Sequence, residues 1–488
     1  MSKTLTLPYR SGLSLRYETV VGLKQVLAML MLVSITWLIA VLHLAILARS
    51  VYLVVGVGLG IYYIRRSPWQ YLSWVLWFWT LSPFMRRICD YYSQPDTINI
   101  VLITPNFLTL LMFPSVITSR TLLKRKEGAV GLLLLVPALY GLCVSFLRAD
   151  IYAGAVATLD WIIPLIYYWY IIDKANYVEE CKPYLDVFVP LSLGIISLYG
   201  IYQNFYPPPW DVQYWNFFKG EGDIFKEVPM FSVMNSVGVF AMWLVMLIVL
   251  SLNIGGIFSF FAMPVALLAL VMTEVRAALG TLALALLLTM IFGRGRLVSS
   301  LFGVLIAIMV SSGLFLALDS EVSSKLISRF SSVGDLQNDG SARVRQELFF
   351  RTGPEFIESH PFGVGIGAVG KGARDDKGRD KEKFNDLDSG IIAPFVVFGW
   401  AAGFVYFFGM VAVVIQAGLA AWRSKSQLAF VFAVNAAAFL MTCLFTVVIG
   451  IQGMIVWFSA SCAVAIEIAT RSQRNVMKAR REYKDWRV

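Results

Sequence analysis

The sequence predicts an all-α, polytopic transmembrane helical bundle of about fourteen spans, with one long loop that contains short helices. Composition, the length of the apolar runs and the placement of the cations predict it. The 488 residues are 58% hydrophobic and 15% charged, with a mean hydropathy of +0.70, whereas a soluble domain carries roughly a quarter charged residues. One core cannot hide that excess, because single cores stop growing at about 250–300 residues. The apolar runs are about 20 residues long, which spans the ~30 Å hydrocarbon layer as a helix. They are too continuous for barrel strands.

The first 26 residues are polar and basic, with no small-residue cleavage pattern, so the first apolar run reads as a retained span. Candidate spans follow at 27–47, 51–64, 68–84, 98–116, 128–147, 152–172, 184–204, 231–252, 257–273, 277–293 and 298–317. Three more lie at 390–417, 428–449 and 452–470. The second is short and close to its neighbours, as half of a hairpin would be, and 390–417 is long enough to tilt strongly. The organisation is therefore an N-terminal segment 1–26, spans 1–11 over 27–318, a long loop 319–389, spans 12–14 over 390–470 and a basic tail 471–488.

Cations set the direction. With both termini cytoplasmic, the inside segments hold 23 Lys and Arg against about seven in the short outside segments, which is the positive-inside asymmetry. The net charge of +10 is thereby explained by topology, and no nucleic acid is expected as a partner. The five cysteines form no CxxC pair and read as small buried hydrophobes. Two outside segments are unusually long. Asn204–Met230 is rich in Pro and aromatics, and 319–389 contains SARVRQELFFRTGPEFIESHP, a helix with Arg343 and Glu347 four apart followed by a turn opened by Pro354. The stretch KGARDDKGRDKEKF is charged enough to be expected mobile.

Some motifs mislead. Gly365, Gly367 and Gly370 fit GxGxxG, but that fingerprint needs a strand before it and a helix after it, and Gly372 stands where a P-loop needs Ser or Thr. A glycine-rich turn that lets backbone approach a surface or ligand closely is the simpler reading. With only His43 and His360, no histidine metal site is expected. His43 falls inside the first span as a packed or hydrogen-bonded helix residue, and His360 sits before Pro361 as a turn residue or a catalyst.

Ionisable residues at span ends mark functional sites by default. Arg86, Arg87, Arg148 and Arg276 recur at outer span ends, and the long loop adds Arg343, Arg345 and Arg351. Singly, each is explained as well by snorkelling or a local ion pair. As a set on the face where positive charge is disfavoured, they suit capture of a lipid-linked pyrophosphate, for which the arginine fork is built. Asp211, Asp386 and Asp388 are carboxylates that could serve as a general base. Asp388 opens a span, where it is also a natural helix N-cap.

The order of EVRAALG, SARVRQELFFRTGPEFIESHPFGVGIG and DLDSGIIAPFVVFGWAAG resembles the O-antigen polymerase and ligase superfamily, with Wzy-type polysaccharide polymerases and O-antigen ligases as members. SPFMRRICDYY, GIYQNFYPPPWDVQYWN and FSVMNSVGVFA resemble its exopolysaccharide branch. The resemblance implies a GT-C-like glycosyltransferase of the bacterial inner membrane, using no metal or other cofactor. It would polymerise undecaprenyl-pyrophosphate-linked oligosaccharide, as both donor and acceptor, at the periplasmic face. Membrane lipids, a chain-length regulator and a flippase are the implied partners. Arg276, Asp388 and His360 would be catalytic. Arg86, Arg87, Arg148, Arg343, Arg345, Arg351, Trp210 and Asp211 would bind substrate, with Trp210 and its aromatic neighbours stacking on sugar rings. Ligases of this superfamily usually open the post-loop span with His, where this chain has Asp388, which favours a polymerase. An Arg common before the FS element in polymerases is replaced here by Val228-Pro229-Met230. A ligase passing finished glycan to a lipid A core, a transporter without chemistry and a non-catalytic assembly partner stay open.

Overall fold

A computed structural model describes residues 12–93, 99–119, 125–148, 151–219, 228–293, 295–316, 346–368 and 389–485. Every described element is helical, and no strand occurs among the described residues. The protein is a polytopic helical membrane protein. Eight segments are long and apolar enough to cross a membrane, a ninth is a pair of helices bent by 42°, and four shorter apolar helices follow the same pattern.

The first half contains α1 (Gly12–Val41), α2 (Ala45–Arg66), α3 (Pro68–Tyr91), α4 (Ile100–Leu110), α5 (Phe113–Ser119), α6 (Lys126–Ala129) and α7 (Leu132–Leu147). Next come α8 (Ile151–Trp161), α9 (Leu165–Asp173), α10 (Cys181–Phe205), α11 (Pro209–Lys219), α12 (Val237–Ser251) and α13 (Gly256–Met272). The remainder are α14 (Arg276–Phe292), α15 (Arg296–Leu316), α16 (Gly353–Ser359), α17 (Ile392–Ser424), α18 (Gln427–Met441) and α19 (Gly450–Asp485). Each of the fourteen predicted runs contains one of these helices or a broken pair.

Burial sorts them. Helix α3 starts at Pro68, with Ser67 Oγ accepting from the Gln70 amide, the sequence signature of a helix start. Trp69, Trp74, Trp77 and Phe78 are all buried, so α3 is a central helix enclosed on all sides. Helices α12 and α19 share that position. By contrast α1, α2 and α15 expose one apolar stripe, as lipid-facing helices do.

Three expectations need correction. His43 is outside α1. It lies in the turn before α2 with φ 59°, and its Nδ1 is 3.3 Å from the Tyr92 carbonyl. The α1–α2 break therefore falls at 42–44, and α2 is a full 22-residue helix rather than half of a hairpin. The length of the 390–417 run goes into a break within α17, where Gly399 has φ 75° and ψ −174°. Four cysteines are buried as expected, whereas Cys143 is exposed on α7.

Contacts at the helix ends define two faces. On the basic face, Arg471 reaches Glu127 (2.6 Å), Ser67 Oγ donates to Glu180 (2.8 Å), and Arg474 donates to the carbonyls of Arg423 and Ser424 (3.4 Å each). The start of the α6–α7 span, the segment before α10 (through Gln473 and Glu179) and the end of α17 therefore meet the C-terminal helix, and the start of α3 meets that same segment through Glu180. The opposite face holds the end of α3, the end of α7, the start of α14, α11 and α16.

Candidate functional site

The face opposite the basic one carries two centres, and they differ in kind. The first is an ionic knot where α3 ends. Arg87 is wholly buried, with its Nε 3.0 Å from Asp211 Oδ1, which is also fully buried. Its other nitrogens donate to the carbonyls of Ser232 and Met234, and its guanidinium lies 4.7 Å from the centre of the Phe231 ring. Asp211 Oδ2 accepts from Tyr199 (2.7 Å) and Gln203 (2.6 Å). Gln203 Oε1 in turn accepts from the amides of Phe231 and Ser232. Burial pushes the Asp211 carboxyl above its usual range, against the pull of Arg87. The Arg87 Nε–Asp211 Oδ1 contact is an ion pair without hydrogen-bond geometry, while the other polar atoms of the two side chains are hydrogen-bonded to the groups named here. Arg87 and Asp211 thus tie α3, α10 and α11 to segment 228–236.

Beside the knot, Asp90 accepts from Arg49 (2.8 Å), Arg86 (3.1 Å) and Asn99 (2.7 Å). Two guanidiniums therefore share one carboxylate. Next to them is a narrow cleft of about 10 Å³ between α3 and α11, lined by Arg87, Asp90, Tyr91, Trp210, Gln213, Tyr214 and Phe217. Trp210 is half-buried, and its indole N–H donates to Tyr199 (2.9 Å). Aromatic faces beside amide and charged groups are the kind of surface on which a sugar ring stacks.

The second centre is built from backbone. The turn after α16 enters the bundle between α7, α8 and the break in α17. The Val364 amide donates to Val396 O (3.0 Å), Gly365 to Val397 O (2.9 Å), and Trp400 N to Pro361 O (3.1 Å). Ser145 Oγ accepts from the Gly367 amide (2.9 Å), and Tyr140 donates to Phe362 O (2.9 Å). The break in α17 frees carbonyls that an apolar medium would leave unpaired, and the turn supplies the donors. Glycine is required on both sides. A Cβ on Gly399 would lie 2.2 Å from Pro361 O, one on Gly363 2.5 Å from Gly399 N, and one on Gly365 2.4 Å from Ser145 Oγ. The GxGxxG pattern is thus a packing device. Gly370 lies outside the described residues.

Further non-helical backbone gathers nearby. The Gly390 amide donates to Cys443 O (2.7 Å), and Ser389 Oγ accepts from the Ile392 amide (3.3 Å). Asp388, the cap expected where α17 begins, lies outside the described residues. Asp160, at the α8–α9 bend, has Oδ1 2.9 Å from where a Cβ on Gly450 would stand. Nine residues into α8, this is about 13 Å from the start of that helix at 1.5 Å per residue, so the 442–450 connection dips deeply.

Charged groups surround this centre. Arg148 ends α7, three residues beyond Ser145, and is exposed. Arg276 is the first residue of α14, exposed, and Val275 before it makes no side-chain cap. A cation there opposes the helix dipole, and both cation and dipole favour an anion at that end. His360 follows α16, stacks on Phe356 at 4.3 Å, and has Nδ1 2.9 Å from Ser359 Oγ and 3.2 Å from Phe356 O. Helix α16 forms as expected, with Pro354 in its first turn. Arg351, on the preceding π-turn, is exposed and 3.7 Å from Glu355, an ion pair of little energetic weight. Arg343, Arg345, Asp386, Asp388 and the charged stretch 371–384 lie outside the described residues.

Contacts join Arg86, Arg87, Trp210 and Asp211 in one centre, and the glycine turn, Ser145 and Gly399 in the other. Arg49, Asp90 and Asp160 are absent from the residues expected from the sequence, although each carries the same signal as Arg86 and Arg276, an ionisable residue within or beside a span. Ser145 carries no such signal.

Residues 258–408 match the family model described as O-antigen ligase. The match runs from α13 through the break in α17 and includes Arg276, His360 and the glycine turn. It bears out the resemblance to the O-antigen polymerase and ligase superfamily, and supports a glycosyl-transferring, multi-pass membrane protein that acts on lipid-linked glycan. No curated protein matches the chain.

Proposed function

We propose that the protein is a polysaccharide polymerase that extends a glycan carried on undecaprenyl pyrophosphate at the periplasmic face of the bacterial inner membrane. The observation that supports this most is the glycine turn docked on the break in α17, both inside the O-antigen ligase match, with Arg148 and Arg276 at helix ends on the same face. Irregular backbone at membrane depth is tolerated where protein or a working cavity surrounds it. Fully α-helical spans would do if the protein only anchored something.

In the proposed reaction a sugar hydroxyl of the acceptor repeat attacks the anomeric carbon of the donor. The new glycosidic C–O bond forms as the C–O bond to pyrophosphate breaks, and the lipid pyrophosphate leaves with the bonding pair. Arg276 and Arg148, with Arg343, Arg345 and Arg351 on the loop, would hold that leaving charge. The acceptor proton would pass to His360 or Asp388. A His360 ring protonated on Nδ1 and donating to Phe356 O presents a basic Nε2. Arg86 and Trp210, at the aromatic cleft, would hold the growing chain.

Purified protein given lipid-linked repeats should produce a ladder of products without lipid A. Arg276→Ala should lower turnover by about 10²–10³, the usual cost of removing one charge-stabilising donor. A full ladder from that variant would remove Arg276 from the mechanism. The match to the O-antigen ligase family favours a second reading, ligation to a lipid A core. Transfer that requires lipid A and never joins two repeats would replace the polymerase with the ligase.

A further inference from the structure

On the basic face, away from the site, a groove of about 250 Å³ opens between the end of α14, the start of α15 and the α17–α18 hairpin. This lies just below the ~300–1,000 Å³ of ligand pockets. Leu288, Phe292, Leu297, Phe430 and Gly418 line it, and Lys425 is the one charged residue among those lining it. Lys425 ends the α17 helix, directly after the Arg423 and Ser424 carbonyls that Arg474 holds. An apolar interior with a lysine at the mouth, at the end of membrane helices, is complementary to an amphiphile with an anionic head. A soluble anion would leave the apolar walls unfilled, and a neutral lipid would leave the lysine unused. Basic pockets between membrane helices bind phosphate headgroups by this physics.

We propose that this groove is a binding site for an anionic phospholipid of the bilayer, with one acyl chain between α14 and α18 and the headgroup phosphate at Lys425. The site is separate from the proposed chemistry and does not depend on it. A Cβ on Gly418 meets nothing within 4 Å, so Gly418→Leu fills the groove without displacing a neighbour. The full chain in detergent is exposed to phosphatidylglycerol, to phosphatidylcholine of the same chain length, or to glycerol phosphate, and retained lipid is measured by native mass spectrometry. Phosphatidylglycerol should be retained about fivefold better than phosphatidylcholine, the effect of one lysine near a charged lipid head. Lys425→Gln should abolish that preference, and Gly418→Leu should reduce retention of both lipids while melting like the parent. Equal retention of the two lipids, unchanged binding by both variants, or equal binding of glycerol phosphate would each overturn the proposal.

Discussion

Replacing Gly399 by alanine tests whether the glycine turn and the broken helix hold each other. Gly399 has φ 75° and ψ −174°, a region open essentially to glycine alone, and strain there costs about 1–3 kcal/mol. The added methyl would also lie 2.2 Å from Pro361 O and 2.6 Å from Phe362 C. That clash is with backbone, so the turn must withdraw, and three inter-segment hydrogen bonds weaken together. At about 0.5–1.5 kcal/mol net each, their loss brings the total to roughly 2.5–7.5 kcal/mol, the strain range included. Since 1.4 kcal/mol is a factor of ten, the docked turn should become at least about fiftyfold less populated. Limited proteolysis of the 346–400 segment and thermal melting in detergent both report this. Gly399→Ala should be cut faster and should lose transfer activity. Gly58→Ala, in an exposed turn of α2 where a Cβ meets nothing within 4 Å, should instead be neutral or stabilising by up to ~1 kcal/mol. A Gly399→Ala protein that resists protease and melts like the parent would refute the coupling.

Ser145→Ala should leave the Gly367 amide without its acceptor and destabilise the docked turn by about 1–3 kcal/mol, raising protease sensitivity; an unchanged cleavage rate would show that the Ser145 bond carries no weight. Arg87→Ala or Asp211→Ala alone should cost about 3–5 kcal/mol, because each strands a buried charge. The double variant Arg87→Met with Asp211→Leu should recover part of that melting temperature, whereas additive losses would argue against a structural pair. Exposed Arg276→Ala should shift the melt by less than ~0.5 kcal/mol while lowering turnover, and equal losses in fold and turnover would point to a structural role.

The second centre was only partly legible in the sequence. GVGIG read correctly as a glycine turn allowing close approach, since three closely spaced glycines offer no side chain to pack. Its partners were not legible. Ser145 and Gly399 lie in separate runs, and each is an ordinary small residue in an apolar helix. Arg86 and Arg276 stand out because charge at a span end is costly. Asp160, the ninth residue of its predicted run, does not stand out by that rule, and Arg87 looks like its neighbour Arg86 although the fold buries it with Asp211.

Composition and the length of the apolar runs determined that this chain is a bundle of membrane helices, because backbone in lipid has to satisfy its own hydrogen bonds within each span. Cation spacing marked the span ends, since charge cannot enter the hydrocarbon without cost. Tertiary structure alone decided which arginines face solvent and which are spent on a neighbour, and where a helix must break. Those outcomes depend on contacts between residues far apart in the chain, as between Tyr140 and Phe362 and between Ser145 and Gly367, each pair 222 positions apart. No local pattern encodes which partner a buried donor will meet.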